Sequence, residues 1–189
     1  GTFGNALVFN GTNAWGTLIH EPPALRLTTA MTLEAWVKPS VVTAVWRDVI
    51  YKGNDNYFLE APSTNSNRPA GGGTSGGAGA EAYGTAALAV NTWTHLAVTY
   101  DGAALRFYVN GAQVASRAQT GAIQTSTNPL QIGGDSLYGQ YFNGMIDEVR
   151  VYNVALTLAQ IQADRDAPIG VGPGVPGTLT ATAVSGSQI

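Results

Sequence analysis

The 189-residue chain contains no cysteine, which excludes disulfide frameworks, thiolate zinc sites and cysteine nucleophiles together. Charge is scarce as well. Asp, Glu, Lys and Arg make up 11% of the residues, against roughly 25% in an average domain. With 9 Lys and Arg against 12 Asp and Glu, a net of −3, and no basic run, the chain lacks the electrostatic footprint of a nucleic-acid binder. No apolar run reaches the roughly 18 residues of a spanning helix, so membrane insertion is not expected. The only histidines are His20 and His95 and there is no Gly-x-Ser-x-Gly, so histidine-activated serine chemistry has no support. The sequence opens into an apolar strand without a signal peptide, which reads as a mature or excised module. Few lysines, many Thr, Asn, Gly and Ala, and no thiol fit a bacterial exported protein.

What is present is a hydrophobic fraction of 44%, enough for a core, distributed with period 2. Leu33, Ala35 and Val37 alternate with Thr32, Glu34 and Trp36; Leu96, Val98 and Tyr100 alternate with His95, Ala97 and Thr99; Leu105, Phe107 and Val109 flank Arg106 and Tyr108. Such alternation is the signature of half-buried strands. Asp101-Gly102 and Asn110-Gly111 are hairpin turns by composition, so residues 93–115 read as three consecutive antiparallel strands. Further strands are expected at 6–9, 15–19, 47–52, 57–61, 80–88, 130–132 and 145–152. One helical segment of about two turns follows Thr157, a good N-cap, with Leu158 and Ile161 on one face. Some ten strands and one terminal helical turn specify an all-β, two-sheet antiparallel sandwich.

Two stretches break the alternation. Arg68 to Ala80 is glycine-rich, neither follows a strand into a helix nor carries a Lys-Ser/Thr, and is expected to be a mobile surface loop rather than a phosphate loop. Residues 168–176 form a Pro/Gly linker, after which 177–189 alternates Leu179, Ala181 and Ala183 with threonines. That end resembles the opening strand of a fibronectin type III module, which would make the chain part of a longer multidomain protein.

The ordered motifs of residues 3–165 resemble the laminin-G-like jelly-roll family of the concanavalin-A-like lectin/glucanase superfamily. They are Ala6-Leu-Val-Phe-Asn-Gly-Thr12, Leu33-Glu-Ala-Trp-Val-Lys-Pro39, Val49-Ile-Tyr-Lys-Gly53, Trp93-Thr-His-Leu-Ala-Val-Thr-Tyr-Asp-Gly102, Leu105-Arg-Phe-Tyr-Val-Asn-Gly111, Ile132-Gly-Gly-Asp135 and Phe142-Asn-Gly-Met-Ile-Asp-Glu-Val-Arg-Val-Tyr-Asn153. The final Ala155–Ile161 turn also matches. The resemblance implies a jelly roll over residues 1–167 and carbohydrate binding, adhesion or spacing between modules of secreted proteins. Glucanases of that superfamily carry Glu-x-Asp-x-x-Glu on one strand. No such triple exists here, and the adjacent Asp147 and Glu148 would point to opposite faces of a strand.

Three loops combine aromatics with carboxylates or amides, the mixture sugar recognition uses, and loops on a rigid scaffold are where binding groups concentrate. They supply Trp46 and Asp48; Asn54, Asp55 and Tyr57; and Asp135, Tyr138 and Tyr141 as a candidate carbohydrate-binding rim. A second candidate surface is the non-core strand face bearing Glu34, Trp36, His95, Thr99, Arg106, Tyr108, Glu148, Arg150 and Tyr152, which reads either as a sugar platform or as an internally paired layer. If alternation is unbroken, Asp147 points with Val149 and Val151 toward the core and needs compensation. A structural calcium shared with Asn10 and Gly11 is one expectation, since sandwich-type carbohydrate modules often hold calcium at such a place. The leading expectation is a non-catalytic carbohydrate-binding or adhesion module of a larger secreted or surface bacterial protein. A spacer or protein-interaction module is the alternative, and a glycan-active enzyme the third.

Overall fold

The computed structural model describes residues 1–170 and the backbone of residues 178 and 179. In chain order its strands are β1 (Leu7–Asn10), β2 (Gly16–Thr17), β3 (Met31–Pro39), β4 (Asp48–Lys52), β5 (Tyr57–Glu60), β6 (Ala70–Ser75), β7 (Ala78–Tyr83), β8 (Thr94–Tyr100), β9 (Ala104–Val109), β10 (Ala112–Ala118), β11 (Leu130–Ile132) and β12 (Asn143–Tyr152), followed by helix α1 (Leu158–Arg165) and the short β13 (Thr178–Leu179). Six form one antiparallel sheet in the order β1-β12-β3-β8-β9-β10, with β13 also against β12; the other six run β2-β11-β4-β5-β6-β7. The fibronectin-like strand expected over 177–189 lies outside the described residues, apart from that two-residue backbone pairing.

The alternating residues do what their period requires. Leu33, Ala35, Val37, Leu96, Val98 and Phe107 of the first sheet, together with Ile50 and Leu59 of the second, are fully buried in one continuous core. Burying each of these side chains larger than Ala35 contributes about 1.5–3 kcal/mol. Asn110 and Gly111 take φ of +50° and +72°, the left-handed pair that turns β9 into β10. Thr157 caps α1 as expected: its side chain accepts from the Gln160 backbone amide, and Gln160 reaches back to the cap amide, satisfying two otherwise orphaned donors.

The glycine-rich segment is not a mobile loop. It folds into β6 and β7, a hairpin closed by Gly76 and Gly77 at φ +57° and +80°. The reason is packing: a Cβ on Gly71 would lie 2.6 Å from Cβ of Val98 in the opposite sheet. Gly71 therefore marks a close approach of β6 to the opposite sheet.

Helix α1 covers the outer face of the first sheet. Ile161 and Leu156 pack on Ala97, Tyr108 and Tyr152 in a second buried cluster. Tyr152 Oη donates to Asp164 at 2.6 Å, and Trp36 Nε1 donates to the Arg165 carbonyl at 3.2 Å.

Candidate functional site

The outer face of the second sheet carries a cleft. On β5, Tyr57 and Leu59 point inward, and Tyr57 Oη donates to the Leu25 carbonyl at 2.8 Å. Period 2 therefore turns Phe58 and Glu60 outward. Register places Phe58 between Tyr51 of β4 and Gly72 of β6, which in turn faces Glu81 of β7. Gly72 has no side chain, so a trough runs between Phe58 and Glu81. A Cβ there would press into the Ala80 carbonyl oxygen at 2.0 Å, so the trough is built into the backbone path.

Loops close the trough into a cleft of about 250 Å³, adding Trp46 from before β4, Asp55 from the β4–β5 turn, and Tyr138 and Gln140 from the β11–β12 loop. Trp46 meets Phe58 edge-on and Tyr83 at a tilt, each with ring centroids 6.4 Å apart. Tyr138 stands 53% exposed, edge-on to Tyr51 at 6.2 Å, with its hydroxyl 3.5 Å from Asp55 Oδ2. That carboxylate, with burial, raises the Tyr138 phenol pKa. The walls are held in place. Asp135 accepts from the backbone amides of Leu137 (2.7 Å), Tyr138 and Gln140 (3.0 Å). The Asp48 amide donates to the Gln140 carbonyl at 2.9 Å, and Arg47 Nη1 donates to the Tyr141 carbonyl at 2.6 Å.

Three carboxyls meet at the base of the cleft. Asp48 and Asp135 are wholly buried and Glu60 is 3% exposed. Neither oxygen of Asp48 nor Oε2 of Glu60 has an ordinary donor; Asp48 lies in hydrogen-bonding contact with both other carboxyls, which requires a shared proton. Burial, then the neighbouring Glu60 and Asp135, pushes Asp48 well above the usual carboxyl range. Burial likewise pushes Glu60 up, to about 8. Burial also works against ionisation of Asp135, but its contact with Asp48 and its three backbone donors outweigh that and hold it low. The trio is thus one carboxylate, Asp135, supporting a protonated Asp48 that in turn contacts Glu60. Glu60 alone of the three lines the cleft.

Of the rim residues expected from sequence, Trp46, Asp55 and Tyr138 are brought together at the cleft. Asp48 and Asp135 lie beneath it as support. Asn54 is exposed beside the cleft, accepting from Asn128 at 3.3 Å. Tyr57 is not a rim residue but a core one, because the strand begins at its own position and points it inward. Tyr141 stacks on Trp15, centroids 5.4 Å apart, rather than lining the cleft. Phe58, Glu60, Glu81 and Gln140 complete the lining and were not singled out in the sequence. The alternation of β5 carries the signal for Phe58 and Glu60; Glu81 has none, because the glycine-rich composition before it hides the strand it sits on.

The face of the first sheet is closed to a ligand. Glu34 and His95 are fully buried beneath α1, 3.8 Å apart, and Arg150 pairs with Glu148 at 3.1 Å. Burial, then the charges of Arg150 and Arg165, drives His95 down to about 3, so it is neutral; burial raises Glu34.

The expected metal set is not assembled. β1 pairs antiparallel with β12 so that Asn10 faces Asn143 and Leu7 faces Ile146. Asp147 therefore lies four residues along β12 from Asn143, about 13 Å at roughly 3.3 Å per residue, too far to share a cation with Asn10 and Gly11. Nor does Asp147 face the core. The register of β12 shifts between Asp147 and Arg150, with Glu148 at φ +52°; this bulge adds one residue and resets the alternation, leaving Asp147 across from Trp36. Its carboxylate accepts from the Thr2 amide at 2.7 Å and the Glu148 amide at 3.0 Å. Asn10 Oδ1 instead caps the turn at Thr12, Asn13 and Ala14. Among the described residues no group of three or more His, Asp or Glu is arranged to hold a metal ion, and no helix is long and apolar enough to cross a membrane.

A family model described as concanavalin A-like lectin/glucanases superfamily, of laminin G type, matches residues 10–162. Pappalysin-1 of Mus musculus is 39% identical over 79 residues, 39% of this chain and 5% of that protein. The chain thus spans about a twentieth of that relative's length. Domain 4 of AbnA, a GH43 extracellular arabinanase of Geobacillus stearothermophilus solved in complex with arabinotriose, is 25% identical with a TM-score of 0.66, covering 87% of this chain and 78% of that one. The CBM40 of the Ruminococcus gnavus IT-sialidase, solved with α2,3 sialyllactose, shares the fold at TM-score 0.68 and 17% identity, covering 85% of this chain and 95% of that one.

Proposed function

The chain belongs to the concanavalin A-like lectin/glucanases superfamily, laminin G type, and from that premise we propose that it is a non-catalytic carbohydrate-binding module of a larger secreted or cell-surface protein, binding sugar in the cleft on the outer face of the second sheet. One observation carries the reading: two accessible aromatic rings, Trp46 and Tyr138, stand over a floor containing a buried carboxyl, Glu60, whose Oε2 has no partner. Rings stack on the apolar face of a pyranose or furanose, while a preplaced polar group fixes the hydroxyls; sites of this kind combine apolar walls with few directed polar groups. A volume of about 250 Å³ falls just below the roughly 300–1,000 Å³ of sites for drug-sized ligands, the scale of one sugar unit. The arabinotriose bound by the AbnA domain supports a sugar as ligand.

The buried pair at the base of the cleft is not a hydrolytic pair. Glycosidases hold two carboxyls about 5–9.5 Å apart with the scissile bond between them. Asp48 and Glu60 are in contact with each other, and Asp48 is sealed from the cleft, so no bond fits between them. Binding is tested with a glycan array followed by titration calorimetry on the strongest hit. Trp46→Ala and Tyr138→Ala are expected to abolish the heat of binding while the fold is retained. No hit at millimolar sugar would move the assignment to a spacer module.

A further inference from the structure

The polar lining of the cleft has one sign. Asp55 and Glu81 bring carboxylates to it, Glu60 brings a carboxyl that its raised pKa of about 8 keeps neutral at pH 6, Gln140 brings an amide, and among the described residues no lysine or arginine lines it. The nearby guanidiniums are engaged elsewhere: Arg47 on the Tyr141 carbonyl, and Arg68 on Asn65 and over the Tyr83 ring at 5.4 Å. Arg117 reaches Glu81 at 3.5 Å, both side chains remaining partly in water, so it offsets one of the charges only in part. Three aromatic residues, Trp46, Phe58 and Tyr138, complete the surround.

Resting on the reading of this cleft as a sugar site, we propose that it selects sugars carrying a protonated amine, units of the glucosamine type with a free ammonium group, over both N-acylated and acidic sugars. An ammonium offers three donors and no acceptor, which suits a lining whose charged groups are carboxylates. Hydrogen bonds from a cation to a carboxylate are about twice as strong as neutral ones, and the faces of Trp46 and Tyr138 add cation–π attraction. A uronic or sialic carboxylate would instead enter among like charges with no guanidinium directed at it. An acetamido group would bring a single N–H, leaving the remaining acidic oxygens to water or to one another.

Titration calorimetry at pH 6 compares fully deacetylated chitotetraose, N-acetylated chitotetraose, glucuronic acid and tetralysine. The deacetylated sugar is expected to bind at least tenfold tighter than the acetylated one, with affinity falling as salt rises and no measurable binding of glucuronic acid. Asp55→Asn and Glu81→Gln, at the rim, each reduce the preference several-fold; Glu60→Gln, which replaces a carboxyl already neutral at pH 6, reduces it less. Melting temperatures confirm that each variant is folded. Equal affinity for the two chitotetraoses, or tighter binding of glucuronic acid, overturns the ammonium inference and leaves the sugar site standing. Tetralysine binding as tightly as the deacetylated sugar overturns it too, marking a general cation site. Failure of every sugar, on the array as well, overturns both.

Discussion

Asp48 and Glu60 are register partners on neighbouring strands, β4 and β5, and both carboxyls are buried in mutual contact. Two such groups stay together only with a proton between them, so the pair titrates as a unit. Its apparent pKa lies above the unfolded value, so the pair's stability contribution is complete below about pH 4.5 and is lost as pH rises through about 8, where Glu60 titrates. His95 acts in the opposite sense. Its folded pKa is depressed to about 3 from 6.5, so its contribution is present above pH 6.5 and is lost as pH falls toward 3. Melting temperature measured from pH 4 to 9 should therefore be highest between the two limbs, at about pH 4.5–6.5. Glu60→Gln is expected to flatten the alkaline limb and raise the melting temperature at pH 8.5 by several degrees, at roughly 2–4 °C per kcal/mol. An unchanged alkaline limb would show that Glu60 does not carry the proton.

Tyr57 and Tyr138 separate folding from binding. Tyr138→Ala removes a half-exposed ring and should alter stability by no more than about 0.5 kcal/mol while abolishing sugar binding. Tyr57→Phe leaves the Leu25 carbonyl unpaired in the core and should cost about 1–3 kcal/mol without changing affinity. Urea denaturation and calorimetry on the two variants distinguish them, and a large stability loss in Tyr138→Ala would place that ring in the core instead.

How far the site was legible depended on where the period-2 pattern held. Leu33–Val37 and Leu96–Tyr100 revealed their inward faces because nothing interrupts those strands, and Thr157 with Gln160 announced the helix by capping chemistry alone. Trp46, Asp55 and Tyr138 were legible as loop aromatics and acids. Asp147 was misread because a bulge leaves no mark in composition: one extra residue at Glu148 inverts every side chain before it. The Gly71–Gly73 run was misread for a related reason, since glycine signals either a free loop or a close approach of backbone, and only the opposite sheet's Val98 decides between them. Tyr57 sits one residue past a turn, a boundary too fine for propensity to resolve.

Gly71 gives that distinction a direct test. In a mobile loop, Gly71→Ala would be neutral or slightly stabilising, by restricting the unfolded chain. In β6 the new methyl carbon meets Val98 Cβ at 2.6 Å and Cγ1 at 2.8 Å, and overpacking of this kind costs about 1–3 kcal/mol. The expected outcome is a lower urea midpoint with an unchanged slope. Val98→Ala in the Gly71→Ala background should recover part of the loss, because the two positions share one space.

Asp147 provides the last test, of what its carboxylate holds. It accepts backbone amides from Thr2 and Glu148, so removing it leaves those donors without a partner on the outer face of the first sheet. Asp147→Ala should destabilise by about 1–3 kcal/mol. Asp147→Asn keeps one acceptor oxygen and should cost less. If the carboxylate instead held a cation, chelator would lower the melting temperature of the parent protein and leave the Asn variant unaffected. Because its partners are peptide amides, the gap in melting temperature between parent and Asp147→Asn should be the same with EDTA as with millimolar calcium. A gap that closes on adding EDTA would return a metal to Asp147. A gap that stays fixed while Ala costs more than Asn assigns the residue to pinning the amide of Thr2 against the bulge in β12.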